Sequence, residues 1–324
     1  MKKAFLFPGQ GAQAVGMGAD IYHAFPIASK VFDHANDILG YDLSKLCFEG
    51  PAEELNSTAV SQPAIFTTSA AILEVLKSEQ PEIYSTPEIS AGLSLGEYTA
   101  LYAAGILNFE DALTLVQKRG QAMQAAADTN GGSMVSIIGL DEDKVRHLCD
   151  EVLEGEIVEE EGDEDDTHLL VPVNFNCPGQ IVISGTKAAC KHAKELASKY
   201  GAIKAVRLDV AGAFHTSMMD SAAYALGEAI ANCQISEPNQ TKIIANINAE
   251  YYKDSEDIAK GLVKQLTSPI LWQNCMERLI NEGVEQFYEI GPGRVLTGLM
   301  KRINRKTQVI NISTAQSINE ALKK

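Results

Sequence analysis

A serine placed between two glycines is the first feature of this sequence that suggests chemistry. The segment Gly92-Leu-Ser-Leu-Gly96 has the G-x-S-x-G pattern of a nucleophile elbow, in which a strand turns sharply into a helix. Glycine suits both flanking positions because a Cβ atom there would collide with the backbone of the turn. Residues 87–91 are predicted to form the strand, and residues 97–104 the helix, with Glu97 favourably placed near its N-terminus. The pattern also fits an ordinary glycine-rich turn, so the assignment of Ser94 as a nucleophile depends on its partners.

One histidine is well placed to activate this serine. A serine hydroxyl is a weak nucleophile unless a base removes its proton. Of the six histidines, only His215 lies in a short glycine-containing loop directly after a predicted sheet strand, residues 204–210. Functional groups gather at the carboxyl ends of strands in α/β sheets, so we predict that His215 is the base. No Asp or Glu lies in an obvious loop before it, and a backbone carbonyl or an amide oxygen could orient the imidazole instead.

The loop after the first predicted strand, Lys3–Phe7, is also rich in glycine. From Gly9 to Ala14 it fits the G-x-G-x-x-A fingerprint of dinucleotide-binding enzymes. Those enzymes also need an acidic residue about 20 positions later, at the end of a second strand. The nearest candidate, Asp33, lies in a segment predicted to be helical, which disfavours a hydride-transfer enzyme. The alternative use of the loop is to present a backbone N–H to an anionic oxygen, as an oxyanion hole does.

An arginine lies on the apolar side of a predicted helix. Asn108 is a suitable N-cap, and the helix is predicted to continue to about residue 127. Arg119 shares one face with the apolar residues Phe109, Ala112, Val116 and Met123. A guanidinium that points inward needs an anionic partner, because burying it unpaired is costly. The structural explanations are a pair with an internal carboxylate such as Glu97 or a side chain that reaches back to solvent, and periodicity alone favours them over a functional role.

The order of predicted elements indicates an α/β protein with an insertion. Residues 133–206 are predicted to alternate as β-α-β-β-α-β, which is the order of the ferredoxin-like fold. Outside this segment, strands separated by helices favour a parallel sheet covered on both faces. After the insertion, the strands are predicted at residues 204–210, 242–248, 284–290 and 308–312.

Composition excludes several classes of protein. The chain of 324 residues is 45% hydrophobic and 22% charged, as in an ordinary globular protein, and its net charge of −16 argues against general nucleic-acid binding. No apolar run approaches the about 18 residues of a membrane span, and the run after Lys3 is too short for a signal peptide. Six scattered cysteines predict free thiols in a reducing cytoplasm. Nine acidic residues within residues 154–166 predict a solvated surface loop.

Taken together, the motifs resemble those of the malonyl-CoA:acyl carrier protein transacylases. The resemblance extends over nearly the whole chain, and its motifs occur in the family's order. They are Phe7-Pro-Gly-Gln-Gly-Ala-Gln13, Gly92-Leu-Ser-Leu-Gly-Glu-Tyr98, Gln117-Lys-Arg-Gly-Gln-Ala-Met123, Asn174-Phe-Asn-Cys-Pro-Gly-Gln180, Gly212-Ala-Phe-His215, Gln265-Leu-Thr-Ser-Pro269 and Glu289-Ile-Gly-Pro-Gly293. The family's fold implies an α/β-hydrolase-like core of residues 1–128 and 207–324, with a ferredoxin-like subdomain of residues 129–206 inserted into it.

The resemblance implies a catalytic role for three residues and an activity for the chain. Ser94 is similar to the nucleophile that carries the malonyl group as an ester, and His215 to the general base. Gln265 matches the position whose carbonyl oxygen orients that histidine in place of the missing carboxylate. The implied reaction is ping-pong transfer of malonyl from malonyl-CoA to the phosphopantetheine thiol of acyl carrier protein, in fatty acid biosynthesis.

Three further residues receive binding roles from the resemblance. The amides of Gln10 and Leu95 are expected to form the oxyanion hole. Arg119 matches the arginine that binds the malonyl carboxylate, which a planar guanidinium can do through two parallel hydrogen bonds. The expected partners are malonyl-CoA and acyl carrier protein, with no nucleic acid, membrane, metal or permanently bound cofactor. The chain is expected to be a cytoplasmic monomer.

The chain departs from the family pattern at a few positions, and other functions remain to be weighed. Leu93 stands where many members have His, Ala213 where Pro is frequent, and Thr216 where Ser is frequent. A serine hydrolase for neutral esters has no need of an inward Arg119, and a non-catalytic binding module has no need of the intact serine and histidine. Two basic patches are candidates for docking an acidic carrier protein: Lys187, Lys191, Lys194 and Lys199, or Lys301-Arg302 with Arg305-Lys306.

Overall fold

The computed structural model describes residues 2–84, 87–155 and 169–323. The predicted acidic loop of residues 154–166 therefore lies outside the described residues beyond Gly155. The first part of the chain alternates between strands of one sheet and the helices that cover it. Its elements are β1 (Lys3–Phe7), α1 (Ala19–Ala24), α2 (Pro26–Leu39), α3 (Leu43–Glu49), α4 (Ala52–Asn56), α5 (Thr58–Glu79), α6 (Pro81–Tyr84), β2 (Ile89–Gly92), α7 (Gly96–Ala103) and α8 (Phe109–Asn130).

Helix α5 has a composition that resembles that of a membrane span. By length and hydropathy it passes the usual test for a spanning helix, alone among the described helices. In the structure most of it is buried by other parts of the same chain, with α8 and α2 packed along it. Such burial is typical of the central helix of a globular core, in which every face of the helix is apolar.

The inserted segment forms a small antiparallel sheet, as predicted. Its elements are β3 (Ser133–Ile138), α9 (Glu142–Glu154), β4 (Leu170–Cys177), β5 (Gln180–Gly185), α10 (Lys187–Leu196) with a 3-10 turn (Ala197–Tyr200), and β6 (Lys204–Arg207). The strand order is β4-β5-β3-β6, with every pair antiparallel, and α9 and α10 pack on one face. This arrangement confirms the ferredoxin-like order of elements. The bounds of 129–206 for the subdomain stay a prediction.

The last part of the chain completes the large sheet. Its elements are a 3-10 turn (Ser217–Met219), α11 (Asp220–Ile230), β7 (Lys242–Ile243), α12 (Ser255–Gln265), α13 (Trp272–Asn281), β8 (Gln286–Ile290), α14 (Val295–Ile303), β9 (Val309–Ile312) and α15 (Ala315–Ala321). The strand order is β7-β2-β1-β8-β9, and all four pairs are parallel. Apolar clusters lie on both faces, one around α5 and α8 and the other around Trp272. The predicted parallel sheet with helices on both faces is confirmed.

Two strand predictions were wrong in detail. Residues 204–210 do not supply a strand to the parallel sheet, because 204–207 pair with β3 at the edge of the antiparallel sheet and the chain leaves that sheet at Leu208. Residues 242–248 form a strand of only two residues. The chain reverses direction there, since the amide of Ala245 bonds to the carbonyl of Glu250 and Ala249 has a positive φ of 56°.

Candidate active site

Ser94 lies at the tip of a sharp turn between β2 and α7. Its φ of 51° is in the left-handed region, which side-chain-bearing residues rarely adopt. A Cβ atom at Gly92 would lie 1.9 Å from the backbone carbon of Gly96, and one at Gly96 would lie 2.1 Å from the carbonyl oxygen of Phe7. Both glycines are therefore required by the close approach of backbone to backbone, and the predicted elbow geometry is confirmed.

The glycine-rich loop after β1 packs against this elbow. A Cβ atom at Gly9 would lie only 2.3 Å from the carbonyl oxygen of Leu93. The amides of Ser94 and Gly96 are occupied by the side-chain oxygen of Asn246 and by the carbonyl of Leu93. Within the described part of the chain, by contrast, the amides of Gln10 and Leu95 donate to no acceptor. These are the two amides predicted for the oxyanion hole, an assignment that stays a prediction.

His215 reaches the serine from the loop that joins β6 to α11. Its Nε2 atom lies 3.1 Å from Ser94 Oγ, and its Nδ1 atom lies 2.8 Å from the backbone carbonyl oxygen of Gln265. Because a carbonyl only accepts, Nδ1 carries the proton and Nε2 is left to accept from the serine hydroxyl. Burial, reinforced by the nearby Arg119 cation, lowers the pKa of His215 to about 4, although the carbonyl of Gln265 opposes this. The imidazole is therefore neutral near pH 7 and able to take a proton.

Arg119 is buried beside the serine, with 1% of its surface exposed. Its Nη1 atom donates to Gln62 Oε1 at 2.7 Å, while Nη2 donates to Gln265 Oε1 at 3.0 Å and to Ser94 Oγ at 2.9 Å. Its Nε atom is buried without an acceptor among the described residues. Every recorded acceptor is thus a neutral oxygen, so the direct ion pair with Glu97 considered from the sequence is wrong. Burial lowers the pKa of this guanidinium from its ordinary value.

Behind the serine lies a polar network whose importance the sequence did not reveal. Asn246 accepts from the amide of Ser94 at 2.7 Å and donates to the carbonyl of Gly92 at 2.8 Å, so one side chain spans the elbow. Glu97, fully buried, accepts from the amide of Asn246, from Gln265 Nε2 and from the hydroxyl of Tyr252. Burial raises the pKa of Glu97 to about 7, against the lowering effect of these hydrogen bonds. One available signal was that Asn246 follows β7, at the carboxyl end of a parallel strand.

The site opens into a cleft between the two sheets. The cavity has a volume of about 480 Å³. It is lined on one side by the loops after β1 and β2 and by α8 (Gly9, Gln10, Leu93, Ser94 and Arg119), and on the other side by the inserted sheet (Met134, Ser136, Asn174 and Val182). His215 and Phe214 contribute from the connecting loop. Four predicted site residues (Ser94, His215, Gln265 and Arg119) are joined by hydrogen bonds, Gln10 lines the same cleft, and Leu95 follows the serine.

The two basic patches lie in different places relative to this cleft. Lys187, Lys191 and Lys194 line a separate cavity of about 220 Å³ on the insertion, together with Arg207. Arg302 of the second patch instead donates to Gln180 Oε1 at 2.8 Å, and Gln180 lines the cleft that contains Ser94. The second patch is therefore the one adjacent to the cleft.

Comparison with known proteins places this geometry in context. The acyl transferase domain model matches residues 4–321 of the chain. The malonyl CoA-acyl carrier protein transacylase of Bacillus subtilis is 44% identical over 321 residues, which cover 99% of this chain and 96% of that protein. The crystal structure of an acyl-carrier-protein S-malonyltransferase from Burkholderia pseudomallei has a TM-score of 0.91 at 40% identity, covering 100% of both chains.

A solved complex is equally similar. It contains a malonyl-transacylase bound to its type II PKS acyl-carrier protein, and it matches with a TM-score of 0.91 and 39% identity over 100% of this chain and 99% of that one. The resemblance predicted from the motifs is confirmed by these matches, each of which extends over almost the whole chain.

Proposed function

The chain belongs to the malonyl-CoA:acyl carrier protein transacylases of the acyl transferase family, and we propose that it transfers malonyl through a covalent ester on Ser94. The observation that carries this proposal is the position of Ser94 Oγ, 3.1 Å from His215 Nε2 and 2.9 Å from Arg119 Nη2. A base and a carboxylate-binding cation thus meet at one hydroxyl. Acyl transfer from a thioester to a serine requires the base, and an acyl group that carries a carboxylate requires the cation.

In the first half-reaction, Ser94 Oγ attacks the thioester carbonyl of malonyl-CoA while neutral His215 accepts its proton at Nε2. The negative charge that develops on the carbonyl oxygen is stabilised by the amides of Gln10 and Leu95. The tetrahedral intermediate then releases the CoA thiolate, which receives the proton from His215. The malonyl group is left as an ester on Ser94.

In the second half-reaction, the phosphopantetheine thiol of acyl carrier protein enters the position that CoA has left. His215 takes the proton of this thiol, the thiolate attacks the ester carbonyl, and Ser94 Oγ leaves with the proton that His215 returns. The two substrates therefore use one site in turn, which gives ping-pong kinetics. One cleft at Ser94 can serve both substrates in turn, because CoA and the carrier protein present the same phosphopantetheine arm.

Selectivity for malonyl over acetyl is assigned to Arg119. Among the described residues, the hydrogen bonds of this buried guanidinium all go to neutral oxygens, so its charge stays available for an incoming carboxylate. A hydrolase for neutral esters, the alternative function, would bury this cation without a use for it. We expect Arg119→Met to lower kcat/KM for malonyl-CoA roughly 100-fold while leaving acetyl-CoA little changed. An equal loss for both substrates would contradict this role.

The remaining features of the function are proposed on separate grounds. Acyl carrier protein is the expected acceptor, by analogy with the solved complex, and the patch that contains Arg302 is the better placed for docking because it adjoins the cleft. The six cysteines are free thiols, which is consistent with a cytoplasmic enzyme. We expect it to act as a monomer and without a bound cofactor.

Mass spectrometry of the intact protein tests the covalent step. After brief incubation with malonyl-CoA and acid quench, we expect a mass increase of about 86 Da, one malonyl group, located on the peptide that contains Ser94. Ser94→Ala should show no increase, and adding acyl carrier protein should remove the adduct while forming malonyl-carrier protein. An unmodified wild-type protein that still transfers malonyl would exclude the ester and the ping-pong scheme.

A further inference from the structure

The proposed mechanism gives no role to the carboxylate of Glu97, which lies directly behind Ser94 in the polar network of the site. This side chain is fully buried. Three donors hydrogen-bond to it: the amide of Asn246 at 3.0 Å, Gln265 Nε2 at 2.9 Å, and the hydroxyl of Tyr252. Burial nevertheless raises its pKa to about 7, so the ionised form is held at a cost in stability. A glutamine could make equivalent hydrogen bonds without this cost, which suggests that the charge itself matters.

The cation that faces this carboxylate is Arg119, and the two are separated by a single amide. Gln265 donates from Nε2 to Glu97 and accepts at Oε1 from Arg119 Nη2, at 2.9 and 3.0 Å. Gln265 Nε2 also donates to the carbonyl of Ser94 at 3.1 Å. Turning the amide over would place its NH₂ against the guanidinium and its oxygen against the carboxylate. The orientation of Gln265 is therefore fixed by the two charges on either side of it.

This arrangement stabilises the charge of the buried Arg119 without occupying its N–H groups with an anion. The negative charge of Glu97 lies close enough to stabilise the buried Arg119 cation electrostatically, yet it occupies none of the N–H groups of the guanidinium. Nη1 and Nη2 are held by neutral oxygens, which an incoming carboxylate can displace. The same negative charge must also repel a substrate carboxylate bound on the other side, because Coulomb interactions act through the intervening amide in this poorly solvated interior.

We propose that Glu97 is a remote counter-ion of Arg119 that limits how tightly the guanidinium binds the malonyl carboxylate. This proposal rests on the proposed function. A ping-pong enzyme must give its acyl group away, and a malonyl ester that is stabilised too strongly would be slow to react with the carrier thiol. Glu97 is thus a positioning residue, since it acts on the substrate through Gln265 and Arg119 and does not touch the reacting atoms.

The variant Glu97→Gln removes the charge and keeps the hydrogen bonds. Its carbonyl oxygen can accept from Asn246 and Gln265, and its NH₂ can donate to the hydroxyl oxygen of Tyr252, which acts equally well as an acceptor. At about pH 8.5, where wild-type Glu97 is ionised, we expect the KM for malonyl-CoA to fall about three- to tenfold. Transfer from the malonyl-enzyme to the carrier thiol should slow by a similar factor, while acetyl-CoA, which has no carboxylate, should be unaffected.

The ionic coupling is measured separately, by chemical denaturation of Glu97→Gln, Arg119→Gln and the double variant at the same pH. Glu97→Gln should stabilise the protein both with Arg119 present and with Arg119 replaced. The stabilisation should be larger when the cation is absent, and the two effects on the unfolding equilibrium constant should differ by about tenfold. Arg119→Met provides a second background if Arg119→Gln folds poorly. Glu289→Gln is the matched control, because Glu289 is also fully buried but accepts from Leu296, Thr297 and Asn311. Its effect should be the same with and without Arg119.

Two results would overturn the proposal. One is an equal stability change for Glu97→Gln in both backgrounds, which would leave Glu97 as a hydrogen-bonding group only. The other is a parallel change in KM for malonyl-CoA and acetyl-CoA, which would show that the substrate carboxylate does not sense the charge. Neither result bears on whether Ser94 forms a malonyl ester, and absence of that ester would leave the stability coupling intact. The two proposals therefore fail separately.

Discussion

His215 is oriented by a backbone carbonyl, that of Gln265, whose oxygen lies 2.8 Å from Nδ1. Serine enzymes that use a carboxylate at this place gain an anion that stabilises the protonated imidazole. Here the acceptor is neutral, and the nearest charge recorded to influence the ring is the cation of Arg119. The site thus fixes the tautomer of the histidine while keeping its pKa low, a combination that has consequences for the dependence of the reaction on pH.

The acid limb of the pH–rate profile should lie unusually low. If His215 is the base, as proposed, only its neutral form is active, so activity is lost as pH falls through its pKa, which burial and Arg119 lower to about 4. We expect kcat/KM for acetyl-CoA, which does not need Arg119, to be constant from about pH 8 to about pH 5.5. In Arg119→Met the cation is gone, and the acid limb should move upward. A wild-type limb near the ordinary histidine value of 6.5 would contradict this.

The proposed catalytic pair, Ser94 and His215, could be selected from the sequence because its signals are local. Gly92 and Gly96 mark the turn that exposes Ser94, and His215 was selected by its glycine-containing loop. The expectation that His215 follows a strand of the parallel sheet is wrong, since the strand before it belongs to the inserted sheet. An apolar segment next to a loop predicts a strand, but it carries no information on which of two sheets the strand joins.

The residues behind the serine could not be found in the same way. Asn246 is 152 positions from Ser94, and Gln62 is 57 positions from Arg119, so each contact is created only when distant segments pack together. A helical stripe placed Arg119 on the inward face correctly, yet it could not show that the acceptors there are neutral amide and hydroxyl oxygens. Which acceptors surround the guanidinium depends on how distant segments of the chain pack together, and it decides whether the cation is free to bind a carboxylate.

The stability of the protein should depend on pH through Glu97 in a way that Glu97→Gln isolates. The pKa of Glu97 is raised from 4.5 to about 7, so the folded state binds more protons than the unfolded state and stability is lost as pH rises between these values. The lowered pKa of His215 acts oppositely, since its contribution is lost as pH falls from 6.5 towards about 4. These two contributions to the change of stability with pH largely cancel in the wild type. The difference in unfolding free energy between Glu97→Gln and the wild type therefore isolates the contribution of Glu97.

We expect Glu97→Gln to match the wild type near pH 4.5 and to become more stable than it by about 3 kcal/mol above pH 7, as measured by urea denaturation. The groups around the carboxylate, other than Arg119, are Tyr98, Tyr252 and Cys275, and burial raises the pKa of each, so they stay neutral in this window. A difference in stability that does not vary with pH would mean that Glu97 keeps one charge state throughout.

Replacing a glycine by alanine should have opposite effects on stability at Gly92, in the elbow, and at Gly298, on α14. A Cβ atom at Gly92 would lie 1.9 Å from the backbone carbon of Gly96, and neither backbone segment can move without displacing Ser94. Gly92→Ala should therefore lower the free energy of unfolding by more than about 3 kcal/mol and lower the yield of folded protein.

Gly298 provides the control. It is exposed on α14, and a Cβ atom there would meet none of the described residues within 4 Å beyond its own helix backbone and chain neighbours. Gly298→Ala should leave malonyl transfer unchanged and add about 0.5–1 kcal/mol, because alanine is the better helix former. Urea denaturation of both variants measures the contrast in stability. A Gly92→Ala protein as stable as the wild type would contradict the prediction, because it would mean that the backbone of the turn moves apart to accept the Cβ atom.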